Sequence, residues 1–217
     1  ACARWVSRGG AAAPAPVDLC PGEGVQRISC ASQGELAREF DEVQRVLSEQ
    51  RGDWEQRMAA LKRLQGLVVG NAASEHFVSL ALRLREPLVA QVQDLRSAIC
   101  REACSVLFVL VHALGTDFEP FALVVLPVLF KITCVTIQVM AESGFACACA
   151  VVQECATPRV LGLLLEQFGS RNGALRCRCA QALLLALRSY PRPALERHAE
   201  GLEATLRQCL EDAQDDV

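Results

Sequence analysis

From Leu36 onward, apolar positions recur at a helical interval, and they do so with few breaks to the end of the chain. Leu36, Phe40, Val43 and Leu47 fall at i, i+4, i+7 and i+11, which is one face of a helix. Ser32 precedes them with Glu35 three residues on, the form of an N-terminal capping box. Gly52–Asp53 breaks the pattern, and Asp53 is placed to cap a second helix. That helix carries Met58, Leu61, Leu64 and Val68 on its apolar face and stops at Gly70–Asn71. Further helices are expected over about 74–91, 95–114, 118–133, 137–155, 158–168, 174–189 and 195–211. Gly115, Pro158, Gly169, Gly173, Pro191 and Pro193 punctuate them. No alternating strand pattern flanked by turn signals occurs in the sequence.

Every second break falls at a regular interval. Trp54 to Arg96 is 42 residues, Arg96 to Gln138 is 42, Gln138 to Arg176 is 38 and Arg176 to Asp215 is 39. A period near 40 with two helices per unit marks HEAT or armadillo repeats. The expected architecture is therefore an all-α HEAT-repeat solenoid over residues 33–217, stopping within its last repeat. Residues 1–32 are rich in Ala, Gly and Pro without periodicity and are expected to form a flexible linker.

Composition agrees with stacked helices. Of the 217 residues 52% are hydrophobic but only 5% aromatic, so the apolar mass is mostly Ala, Leu, Val and Cys. A net charge of −3 lacks the basic excess of a generic nucleic-acid binder, so no nucleic-acid partner is expected. The greasiest region, Val106 to Ile137, is interrupted by Asp117, Glu119, Pro127 and Lys131, and no membrane insertion is expected from it.

Twelve cysteines invite a metal or disulfide reading. Most of them lie inside apolar helical stretches, where a free thiol acts as a small hydrophobe. No signal peptide precedes them, so reduced cytosolic thiols are expected. Cys147-Ala-Cys149 and Cys177-Arg-Cys179 place their thiols about 200° apart on a helix, which is wrong for one zinc ion. Cys100 and Cys104 share a face without a second ligand pair at finger spacing. His76, His112 and His198 are far apart, and His112 is expected to be buried in its apolar helix. No metal and no cofactor is expected. The acidic terminus from Glu211 lacks the Gly and Glu spacing of a calcium loop.

In a helical-pair solenoid the loops inside each pair line up along one edge. Here those loops carry Trp54 first, then Arg96 with Arg101 on the following helix, then Gln138, then Arg171, Arg176 and Arg178. A Trp at a helix start beside a loop suits a binding anchor, and it can equally staple the first two repeats. Arg101 can reach a partner or turn inward to loop carbonyls or Asp94. Arg176 and Arg178, two residues apart, face different directions, so one of them is expected to reach a partner. The seven C-terminal residues hold four acids and no base, which conceals a basic edge that suits an extended acidic protein surface.

The strings DWEQRMAALKRLQGLV, QDLRSAICREAC, QVMAESG and LERHAEGLEATLRQCLEDA resemble the TOG domains of the CLASP (cytoplasmic linker-associated protein) family, most closely the second. The resemblance covers about residues 25–217. It implies a flat HEAT-repeat paddle whose intra-repeat loop edge contacts αβ-tubulin, with no enzymatic activity. It also implies a role in catastrophe suppression and rescue of microtubules at plus ends, the spindle, kinetochores and the cell cortex in the cytoplasm. Other plus-end or kinetochore proteins would be held by the rest of a longer chain. Trp54 matches the family's first-loop Trp, Arg96 and Arg101 fall in the second-loop segment, and Arg171, Arg176 and Arg178 match basic positions of the fourth. Gln138 stands where the third loop usually offers a Lys, and Cys177 replaces another basic position. Those departures favour the alternative of a HEAT-repeat scaffold that no longer binds tubulin.

Overall fold

The computed structural model describes residues 25–49 and 53–213. Helices α1 (Gln33–Ser48) and α2 (Trp54–Asn71) form the first pair. Next come α3 (Phe77–Leu82), α4 (Arg85–Val92) and α5 (Ser97–Leu114). The third pair is α6 (Glu119–Ile132) with α7 (Gln138–Glu154), and the fourth is α8 (Pro158–Glu166) with α9 (Gly173–Ser189). The short α10 (Arg192–Glu196) and α11 (Ala199–Leu210) follow. No strand occurs among the described residues.

Two layers result. In one, α1, α4, α6, α8 and α11 stack in chain order, and in the other α2 packs on α5, α5 on α7 and α7 on α9. The repeat is visible in the bonds between successive repeats of the stack. Arg57 reaches Asp94 across 37 residues, Gln65 reaches Glu102 across 37 and Arg178 reaches Glu142 across 36. Cys155 Sγ and Gln208 Nε2 donate to the carbonyls of Thr116 and Phe168 across 39 and 40 residues. One apolar core runs the length of the stack, with Phe40 and Phe77 meeting edge to face at 5.6 Å.

The helix starts follow from local chemistry. Ser32 Oγ accepts from the Glu35 amide at 3.2 Å while Ala31 N donates to Glu35 Oε2 at 2.7 Å, completing the capping box. Asp53 caps α2 through the Glu55 amide, and Asn172 caps α9 through that of Leu175. Two expected helices are each split. The stretch 74–91 breaks at Arg83–Leu84 into α3 and α4, and 195–211 breaks at His198, after α10 has started early on Pro191 and Pro193.

Residues 26–30, read from composition as linker, lie along α2. Ile28 N donates to the Gly66 carbonyl at 3.0 Å, and Asn71 Nδ2 donates to the Ile28 carbonyl at 2.8 Å. Cys30 N donates to Asn71 Oδ1 at 3.0 Å. A Cβ at Gly66 would sit 2.5 Å from the Gln26 carbonyl oxygen, so this segment needs the bare backbone there. The remainder of the expected linker, residues 1–24, lies outside the described residues.

The stretch Ser97–Ile132 is long and apolar enough to cross a membrane by length and composition, contrary to the sequence reading. In the fold it is broken at Gly115, whose φ of 53° suits glycine, into α5 and α6. Their apolar faces are buried against α2, α4, α7 and α8. Five of the ten described cysteines, in α5, α7 and α9, are fully or nearly fully buried.

Candidate functional site

Because α2, α5, α7 and α9 stack side by side, the loops that precede them lie along one edge of the molecule. They are residues 49–53, 93–96, 133–137 and 170–172, of which 50–52, including Arg51, lie outside the described residues.

At the first loop Trp54 opens α2 with its side chain 42% exposed, so it does not fill the core. Three residues on, Arg57 is 2% exposed and points into the stack, where Nη1 donates to Gln91 Oε1 at 2.8 Å and Asp94 Oδ2 at 2.6 Å. Gln91 Nε2 in turn donates to the Leu47 carbonyl at 2.8 Å. The first and second loops are thereby tied together through buried polar bonds. Burial opposes charge on Asp94, but the Arg96 amide and the Arg57 guanidinium outweigh it and hold the carboxyl below its usual range. The inward arginine that sequence reasoning sought at Arg101 is therefore Arg57. Arg101 is exposed on α5 and makes no hydrogen bond or ion pair with a described residue.

The second loop presents Leu95, 91% exposed, beside Arg96, whose backbone amide donates to Asp94 Oδ1 at 2.8 Å. Its guanidinium stays exposed, 3.7 Å from the same carboxylate. The third loop presents Gln138 together with Val135, Ile137 and Val139, all exposed. Just before it, at the end of α6, stands the exposed Lys131, one of only two lysines among 22 basic residues. Leu95, Lys131 and the third-loop aliphatics were missed from sequence. An apolar residue in a helical pattern reads as core unless its phase is compared with its buried neighbours Ile132 and Met140.

At the fourth loop Arg171 is exposed and bonded to no described residue. Arg176 is different. Its Nε and Nη2 donate to the two Asp212 carboxylate oxygens at 2.6 and 2.8 Å, and its Nη1 donates to the Ser170 carbonyl at 2.9 Å. Arg178 donates to Glu142 at 2.6 Å and lies over the Phe145 ring at 4.4 Å. The two do face different directions, but both guanidiniums are engaged within the molecule. Arg176 anchors the fourth loop to the chain after α11, and Arg178 anchors α9 to α7.

The edge holds no evident reactive constellation. Among the described residues no three His, Cys, Asp or Glu side chains gather as metal ligands. The Cys104 thiol lies between those of Cys100 and Cys147 inside the α5–α7 contact; the hydrogen bond with Cys100 lowers it, but that with Cys147 together with burial outweighs this and holds it well above the ordinary range. His112 is not buried as expected. It is exposed in the last turn of α5, its ring 4.3 Å from that of Phe108 and its Nδ1 2.8 Å from the Phe108 carbonyl oxygen.

Comparison with known proteins adds the following. The family described as CLASP N terminal matches residues 36–217. The "CLIP-associated protein" of Arabidopsis thaliana is 36% identical over 196 residues, covering 89% of this chain and 14% of its own length. "CLIP-associating protein 1" of Xenopus tropicalis is 30% identical over 192 residues, 88% of this chain and 13% of its own. "Protein CLASP-2" of Caenorhabditis briggsae is 30% identical over 154 residues, 68% of this chain. The chain thus spans about one seventh of the length of the first two relatives.

Proposed function

The chain belongs to the CLASP family, and from that premise we propose that it is a tubulin-binding module that regulates microtubule dynamics through its intra-repeat loop edge. It acts by recognition, not catalysis, and needs no cofactor. Trp54 supplies an apolar anchor, while Arg96, Arg101 and Arg171 offer guanidiniums to the acidic αβ-tubulin surface. Gln138 contributes a neutral contact. Arg176 and Arg178 serve the same edge from behind, holding the fourth loop in place. Such a module works at microtubules in the cytoplasm, at plus ends, spindle and kinetochores, with further partners held by other parts of a longer protein.

The observation that carries this reading is the exposed Trp54 indole, aligned on one edge with exposed arginines. Interfaces concentrate their energy in such Trp and Arg anchors. Their complementary charge steers encounter with an acidic partner. The test is size-exclusion chromatography of the chain mixed with αβ-tubulin. Co-elution that is lost in Trp54→Ala supports the reading. Elution of the wild-type chain apart from tubulin overturns it in favour of a scaffold that holds another protein.

A further inference from the structure

We infer that the third loop meets its partner through aliphatic side chains, so that it selects an uncharged apolar patch of the tubulin surface and not an acidic one. This rests on the loop-edge reading above and adds to it a contact of different chemistry. Val135, Ile137 and Val139 are 37%, 49% and 48% exposed, alternating with the polar Thr136 and Gln138. The residues on either side, Ile132 and Met140, are buried, so the core beneath this loop already has its apolar side chains. Residues 132–141 carry no charge at all, between Lys131 and Glu142.

Exposed β-branched aliphatics at a loop tip cost solvation and gain no intramolecular packing, which is the mark of a contact surface. The patch continues along the edge to Leu95 and Trp54. Half of the exposed large apolar side chains among the described residues sit on these three loops. Basic side chains flank this stretch, with Arg96 on the second loop, Lys131 at the end of α6 and Arg171 on the fourth loop. The edge is therefore mixed over its second loop, aliphatic and uncharged over its third and basic at its fourth. A matching surface is apolar and neutral opposite the third loop and acidic opposite the fourth.

The experiment measures the affinity of the chain for αβ-tubulin at low and at physiological salt, for wild type, Ile137→Ser with Val139→Ser, Ile137→Lys and Arg171→Glu. All the changes are at exposed positions of the third and fourth loops or the first turn of α7, and an unchanged thermal melt checks the fold. The serine variant is expected to bind about tenfold more weakly at both salt concentrations, because apolar contact is not screened. Arg171→Glu is expected to lose affinity mainly at low salt, where charge pairing is strongest. Ile137→Lys decides the chemistry: weaker binding supports an apolar contact, and tighter binding overturns it in favour of an acidic one. Wild-type affinity in the serine variant also overturns this inference while leaving the tubulin reading intact. Absence of wild-type binding overturns that reading itself.

Discussion

Arg57 Nη1 lies 2.6 Å from Asp94 Oδ2, joining the helix that carries Trp54 to the loop that carries Leu95. The contact is nearly closed to solvent, with Arg57 2% exposed. Removing one partner of a buried pair leaves the other charge without compensation, at a cost of about 3–5 kcal/mol. Arg57→Ala should lower stability by that order in urea unfolding. Arg57→Met with Asp94→Leu, which removes both charges, should recover much of the loss. An equal loss in the double variant would show that packing around the guanidinium stem, and not its charge, matters.

Gly70 should be intolerant of a side chain. A Cβ there would overlap the Ile28 carbonyl, which Asn71 Nδ2 holds at 2.8 Å. Gly70→Ala is expected to release residues 26–30 from α2, although Ala alone favours helix by about 1 kcal/mol. Hydrogen exchange should then quicken at the Ile28 and Cys30 amides. A more stable protein with unchanged exchange would contradict the docking of that segment.

Acid should unfold the chain in a defined window. The hydrogen bond from Arg63 holds the Glu39 carboxyl low, and Asp94 is held low despite its burial. A depressed folded value means that the unfolded chain binds more protons. The stabilisation is therefore complete above the ordinary carboxylate value of about 4 and is lost as pH falls through the lower folded values. Glu102 has the opposite sign. Burial raises it, so its charge costs stability at neutral pH and that cost disappears as pH falls through its folded value. Glu102→Gln should raise the melting temperature at pH 7, since an amide oxygen can still accept from Gln65 Nε2. Asp94→Asn should flatten the acid limb of the stability profile. A stability maximum near pH 3 would contradict the assignments of Glu39 and Asp94, and a lower melting temperature for Glu102→Gln at pH 7 would contradict that of Glu102.

Thiol reactivity should split by burial. Burial pushes the Cys149, Cys155 and Cys179 thiols up to about 12, and Cys100, Cys104 and Cys147 are fully enclosed. In native protein at pH 8 these six should resist a thiol reagent, while the partly exposed Cys30, Cys134, Cys177 and Cys209 react first. Rapid native modification of Cys104 or Cys147, read by peptide mass spectrometry, would contradict the packing of α5 on α7.

Helical periodicity located most helices where an apolar face ended at a capping residue or a Pro/Gly break, whereas the uncapped breaks at Leu84 and His198, which split two expected helices, carried no such signal. Ser32, Asp53 and Asn172 all cap as their side chains suggest. The 40-residue spacing of breaks carried the stacking order. The partners of individual arginines were not legible, because a guanidinium reaches across a repeat to a residue some 36 positions away. Arg57 and Arg176 look alike in sequence to Arg101 and Arg171, yet the first two are bonded within the molecule and the others are exposed. The docking of Ile28 was hidden for a related reason. Gly66, Gly70 and Asn71 read locally as weak helix and a stop, and only the tertiary neighbour explains them.

The most direct test of the loop-edge account is a dissociation constant for αβ-tubulin, compared between variants on the two edges. Trp54→Ala changes the first intra-repeat loop. Arg192→Ala changes an exposed arginine on the opposite edge, between α9 and α11. The account predicts at least about tenfold weaker binding for Trp54→Ala and wild-type affinity for Arg192→Ala. Equal affinity of Trp54→Ala and wild type, or loss of binding on the opposite edge alone, would contradict it.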